Sequence, residues 1–165
     1  MQKRLRIGWF SFTCCEDSTI VWIELMNRDF FKWKEQIEIR HARVLKKDNK
    51  LSNIDVAFVE GAITTDSDAK KLITIRKNSK KLVAIGACAI TGMPAAQRNT
   101  FNEELKNEIE FLIKRFNQAS RVRNVKEVVK VDDEVPGCPM DEKLFLNMLE
   151  KYLVEFGVVN VPDAH

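Results

Sequence analysis

An open, mainly parallel α/β sheet, built as a three-layer flavodoxin-like sandwich, is predicted by three observations. Short apolar runs alternate with segments of helical period along the chain. Several of those runs are near-continuously apolar, as strands covered on both faces are. The residues with the most chemistry follow the strand-like runs, and ligands of open α/β sheets bind at the carboxyl ends of strands.

The elements follow in order. Residues 5–12 read as a buried strand. Residues 16–33 read as a helix, with Ile20, Ile23, Met26 and Phe30 at helical spacing and Glu16 and Asp17 at its electropositive N-terminus. Residues 36–44 alternate apolar and polar and suit an edge strand; 46–53 form a polar loop. Residues 54–59 are a short buried strand ending at Glu60-Gly61. An amphipathic helix spans 66–78 with Asp66 as its cap, and 81–87 are the next strand. After Asn99 the period is helical through Leu105, Ile109, Leu112 and Phe116. Residues 119–132 are basic and valine-rich and carry no clear period. Residues 141–154 form a helix, with Asp141 as its cap and Leu144, Phe145, Met148, Leu149, Tyr152 and Leu153 as its stripe. One domain over 1–156 with a loose tail over 157–165 is expected.

Composition narrows the function classes. A hydrophobic share of 45% and a charged share of 31% suit a globular domain. A net charge of +3 is too small to point to nucleic acid. The cations between Lys70 and Lys81 are interrupted by Leu72, Ile73 and Ile75, which is the wet face of a helix. No apolar run reaches membrane-spanning length. The basic N-terminus leads into a strand without a cleavage site, so a cytoplasmic location with reduced thiols is expected.

Four cysteines and six glycines are unevenly placed. Cys14 and Cys15 follow the first strand, Cys88 follows the strand at 81–87, and Cys138 sits in Pro136-Gly137-Cys138-Pro139. Gly61, Gly86, Gly92 and Gly137 share these loops. All are expected at one crevice, where four thiolates suit an iron–sulfur cluster and glycines let main-chain N–H groups approach it. Buried inert thiols are the alternative for any lone cysteine. Disulfides fit poorly with a reducing compartment, and structural zinc usually uses C-x-x-C pairs that are missing here.

Val59-Glu60-Gly61-Ala62, Ile85-Gly86-Ala87-Cys88-Ala89-Ile90-Thr91-Gly92 and Pro136-Gly137-Cys138-Pro139 resemble motifs of the NiFe-hydrogenase small subunit. The superfamily includes the N2-cluster subunit of respiratory complex I. The resemblance covers most of residues 5–155 and is nearest to the short small subunits of soluble cytoplasmic hydrogenases, such as the sulfhydrogenase delta type. It implies one proximal 4Fe-4S cluster on Cys14, Cys15, Cys88 and Cys138. Around it, Glu16, Glu60, Gly61, Gly86 and Gly137 are the expected neighbours. It also implies a hydrogenase-type large subunit as partner and a further iron–sulfur or flavin subunit, since four cysteines hold only one such cluster. The chain would then be an electron-transfer subunit, not catalytic alone.

The sequence departs from that pattern. Ser18 stands where hydrogenases carry the second cysteine of the first loop, and Cys14 supplies the missing thiol. Met93 replaces a glycine after Gly92, and Met140 replaces a second proline. Adjacent cysteines are the complex I pattern, so an N2-like subunit of a membrane-bound assembly is the alternative. A flavodoxin-like FMN module is a further one, disfavoured because Ser11-Phe12-Thr13-Cys14-Cys15-Glu16-Asp17 is acidic and lacks glycine. Trp9 or Phe12, with Met93 and Met140, is expected at a partner interface.

Overall fold

The computed structural model describes residues 3–160. Five strands form one sheet: β1 (Leu5–Ser11), β2 (Ile37–Ala42), β3 (Ile54–Glu60), β4 (Ser79–Ile85) and β5 (Asp133–Val135), in spatial order β2-β1-β3-β4-β5. Every neighbouring pair is parallel. The chain leaves β1 for one side of the sheet and returns to build the other, so the order reverses between β1 and β3. That is the point where a parallel sheet opens a crevice at its carboxyl edge.

Side-chain alternation divides the core in two. On β3, Val56 and Phe58 face a layer made by α1 (Asp17–Arg28), α2 (Phe30–Gln36) and α6 (Glu142–Glu155), where Trp22, Trp33, Phe145 and Leu149 are buried. Ile54, Ala57 and Val59 face α3 (Asp66–Lys77), through Ala69, Leu72 and Ile75, and α4 (Gly86–Thr91), through Ala89. A strand covered on both faces needs apolar residues at successive positions, and all seven residues of β3 are buried.

Several boundaries differ from the sequence expectation. The helix expected over 16–33 breaks at Asp29, which ends α1 with its N–H on Leu25 O and opens α2. The cap of α3 is Thr65, whose side chain accepts from the Asp68 N–H at 3.0 Å, while Asp66 is the first helical residue. The strand expected over 81–87 runs from Ser79 to Ile85. Gly86, at φ 77°, turns the chain straight into α4, a conformation that costs glycine little. Asp141 caps α6 as expected, accepting from the Leu144 N–H at 2.8 Å.

The stretch without clear period holds its place by pairing. Arg123 bridges to Ile63, Asn99 and Val122 exchange two 2.8 Å hydrogen bonds, and Val125–Glu127 form a single 3-10 turn. It leads into β5, a three-residue strand too short to show a period. α5 (Glu103–Arg115) has no buried residue at all. Val158 and Val159 pack on the core beyond α6, and the remainder of the expected tail, 161–165, lies outside the described residues.

Candidate functional site

The exits of β1, β3 and β4 and the loop after β5 meet at the carboxyl edge. Beyond β1, Thr13 pairs with Ala62 through two main-chain hydrogen bonds of 3.1 and 2.9 Å, and the Thr13 and Thr64 hydroxyls lie 2.7 Å apart. This clamp sets Cys14 and Cys15 beside Glu60-Gly61. The Ala87 N–H donates to Gly137 O at 2.8 Å, which joins the Cys88 turn to the Cys138 loop. Gly137 has φ 120°, and a Cβ there would lie 2.4 Å from Pro139 O. The tight return of this loop therefore requires glycine.

The crevice so formed is lined by Cys15, Cys88 and Cys138 together with Ser18, Glu60 and Pro139. Cys15 and Cys138 are exposed and Cys88 is buried. Cys88 lies in the first turn of α4, not in a loop. Burial raises the pKa of its thiol, and the Cys15 and Cys138 thiols and the Glu60 carboxylate raise it further. Cys14 stands just outside that lining. It is half-buried, and its thiol donates to Phe12 O at 3.6 Å. Burial, then the nearby Glu60 carboxylate, pushes this thiol up to about 12, with Cys88 adding to the effect. All four thiols are free of disulfides, and three of them, Cys15, Cys88 and Cys138, share the crevice lining.

Glu60, at the end of β3, is 3% exposed. Burial raises its pKa, opposed by the Thr19 hydroxyl donating at 2.6 Å and the Ser18 N–H donating at 3.1 Å. Thr19 also accepts from Trp9 Nε1 at 2.8 Å. The Ser18 hydroxyl in turn accepts from the Met140 N–H at 3.1 Å. Ser18 therefore bridges the first turn of α1, the end of β3 and the Cys138 loop. The Ser18–Thr19 bracket is not legible from strand ends alone, because these residues belong to a helix. The one signal in the sequence is the hydroxyl pair Ser18-Thr19, separated from Cys15 by Glu16 and Asp17.

Other expected residues separate. Glu16 takes the N-cap position of α1 at φ 65°, and its side chain caps nothing. His41, which the sequence does not place among the cluster ligands, is buried on β2 with Nδ1 3.1 Å from Trp9 O. Trp9 and Met140, expected at an interface, are core residues at 2% and 3% exposure; Met93 is 45% exposed. Trp9 stacks on Trp22 with ring centroids 4.5 Å apart, which accounts for its burial.

The donor chemistry of the crevice suits a soft, thiolate-ligated group. Among the described residues, no three His, Cys, Asp or Glu side chains converge closely enough to hold a single metal ion. A tetrahedral zinc ion draws its sulfurs to about 2.3 Å from one point. Cysteine thiols beside glycines, which let main-chain N–H groups approach a bulky ligand, are the donor set that suits an iron–sulfur cluster.

An open parallel sheet with a cysteine-lined crevice at its carboxyl edge defines the class: an open, parallel α/β domain with free thiols at its ligand-binding edge. The chain belongs to the family described as NADH ubiquinone oxidoreductase, 20 Kd subunit, whose model matches residues 15–152. Among its relatives, sulfhydrogenase 2 subunit delta of Pyrococcus furiosus is 27% identical over 151 residues, covering 88% of this chain and 60% of the relative. The NAD-reducing hydrogenase HoxS subunit delta of Cupriavidus necator is 31% identical over 115 residues, covering 58% and 53%. Coenzyme F420 hydrogenase subunit gamma of Methanococcus voltae is 30% identical over 119 residues, covering 70% and 44%. The chain thus spans about half the length of these curated relatives. A solved NAD+-reducing [NiFe]-hydrogenase contains a chain with the same fold, at TM-score 0.78 and 21% identity, covering 97% of this chain and 100% of that one. Among the described residues no helix is long and apolar enough to cross a membrane.

Proposed function

We propose that this chain is the electron-transfer small subunit of a cytoplasmic NiFe-hydrogenase-type oxidoreductase. Its ligand is one 4Fe-4S cluster, held by Cys14, Cys15, Cys88 and Cys138. The observation that carries this reading is a crevice at the carboxyl edge lined by the free thiols Cys15, Cys88 and Cys138, from three separate parts of the chain, with the free Cys14 next to Cys15 in sequence. When bound, such a cluster takes up one electron and passes it on.

The chain's own groups set the conditions for that transfer. Ser18 and Thr19 hold the Glu60 carboxylate at the floor of the crevice, so a fixed dipole and charge lie beside the thiols. The Ala87–Gly137 bond keeps the Cys88 turn and the Cys138 loop in register. Burial of Cys88 limits water at that one ligand, one of the levers on potential, while Cys15 and Cys138 are exposed. With cysteines for one cluster, electrons must enter and leave through other subunits: a hydrogenase-type large subunit on one side and an iron–sulfur or flavin subunit on the other. The chain is then inactive alone.

The adjacent Cys14-Cys15 pair favours a second reading, an N2-like subunit of a membrane-bound complex I-like assembly. The two separate on the co-purifying subunits: flavin- and ferredoxin-like partners against membrane-spanning ones. The cluster itself is tested by iron and sulfide analysis of the purified assembly with electron paramagnetic resonance of its reduced form. Roughly four irons assigned to this chain are expected. Zinc in their place, or a cluster that persists in a Cys88→Ala variant, sinks the reading.

A further inference from the structure

α5 is a helix without a partner. Its apolar stripe runs Leu105, Ile109, Leu112, Phe116, yet none of its residues is buried, and Leu105, Leu112 and Phe116 are 41%, 40% and 61% exposed. Phe111 beside them is 65% exposed. A helix of 13 residues is marginal in water by itself and draws its stability from covering its apolar face. In this chain that face is left open.

Between α5 and the segments around Arg98 and Ser120 lies a groove of about 420 Å³, walled by Ile109 and Ile113. Four cations border it: Arg98, Lys106, Lys114 and Arg121. Three are neutralised within the chain, Lys106 by Glu103 at 2.8 Å, Lys114 by Glu110 at 2.7 Å and Arg121 by Glu127 at 2.6 Å. Arg98 has no acidic partner among the described residues, and its solvent-shielded Nη2 has no hydrogen-bond partner. Burial lowers its pKa, with no acid acting against it. A guanidinium taken out of water without an anion is costly, and a planar carboxylate is its natural complement.

We infer that this groove docks a segment of another subunit of the assembly, with a carboxylate side chain meeting Arg98 and aliphatic side chains covering Ile109, Leu112 and Ile113. Its position agrees. Asn99 holds Val122 by two hydrogen bonds, Ala119 N donates to Thr64 O at 2.8 Å, and Arg123 bridges to Ile63. The groove is therefore joined to the exit of β3, the same carboxyl edge that carries Glu60 and the cysteines. A second copy of this chain fits less well. A two-fold contact sets a patch against itself, so Arg98 would meet cations, and the acids bordering the groove are already paired.

The inference rests on the reading of the chain as one subunit of several, so the test reports on the two separately. The intact assembly is treated with a carbodiimide, which couples lysine amines to nearby carboxylates, and cross-linked peptides are identified by mass spectrometry. The expected product joins Lys106 or Lys114 to an acidic peptide of another subunit. In parallel, Arg98→Glu and Arg98→Lys chains are co-expressed with their partners. Arg98→Glu is expected to lower partner retention at least about tenfold, with Arg98→Lys in between. Iron per chain should stay unchanged in both variants, and iron in the unaltered assembly reports on the cluster reading separately: its absence there would count against that reading and not against the groove. Cross-links joining two copies of this chain, no inter-subunit cross-link at either lysine, or wild-type retention of Arg98→Glu would each overturn the inference. If Arg98→Glu fails to accumulate, the cross-links of the unaltered assembly decide alone.

Discussion

The Met140 N–H donates to Ser18 Oγ at 3.1 Å, tying together residues 122 positions apart. Through this one bond the helix that begins after Cys15 is fastened to the loop that carries Cys138. Ser18 also offers its own N–H to Glu60 on the central strand. Where the hydrogenase pattern has a cysteine, this chain has a residue that braces three elements of the crevice.

Replacing Ser18 by alanine leaves the Met140 N–H without an acceptor in a buried setting, which costs about 1–3 kcal/mol. The Ser18→Ala variant should unfold at lower denaturant concentration. Amides 137–141 should exchange faster than in the parent, while those of α3 stay unchanged. Equal exchange in the Cys138 loop would show that the bond contributes nothing to its closure.

The proposed cluster crosslinks residues 14 and 138 through its metal atoms, so its loss should also release the last helix. Cys138→Ala is expected to lose the reduced-cluster resonance and to increase hydrogen exchange across residues 141–154. A cluster-free variant with unchanged protection of α6 would refute the coupling of cofactor to fold.

Gly137 offers a separate probe of the loop. An alanine there carries its Cβ to 2.4 Å from Pro139 O and 2.8 Å from Asp141 N, at a φ of 120° that side chains rarely adopt. Main chain cannot yield cheaply, so Gly137→Ala should cost about 3 kcal/mol or more. Calorimetry of the assembly, with iron content measured alongside, would show both a lower midpoint and a weaker hold on iron.

Asp55 governs the acid limit. It is 4% exposed on β3; burial favours its neutral form, but hydrogen bonds from Arg6 and Lys80 outweigh that and hold its pKa at about 2. A carboxylate whose folded pKa lies below its unfolded value stabilises the fold above the unfolded value of about 3.9. That contribution fades as pH falls from about 4 towards 2. It is worth about 2 kcal/mol at neutral pH. Asp55→Asn should lose most of it at pH 7 and nearly none at pH 2, as followed by urea unfolding across that range.

Strand and helix alternation alone determined the class of fold, because parallel strands buried on both faces are apolar at most successive positions and stand out from amphipathic helices. The apolar runs at β1, β3 and β4 and the alternation over 36–44 marked four strands of the sheet, the last of them as the edge strand β2, and the glycine-flanked cysteines marked its functional edge. Short-range signals reached no further. Three-residue β5 is too short to carry a period, and the break at Asp29 leaves the helical spacing of its neighbours intact. Tertiary structure decided the rest. It set Thr65 instead of Asp66 at the cap of α3, and buried Trp9 by stacking it on Trp22. It turned Ser18 and Thr19 towards Glu60, and left α5 uncovered beside Arg98. The Thr65 cap rests on a bond only three residues long that competes with the neighbouring acid, whereas the burial of Trp9 and the Ser18–Thr19 bracket on Glu60 depend on contacts between residues far apart in the chain, which no local pattern records.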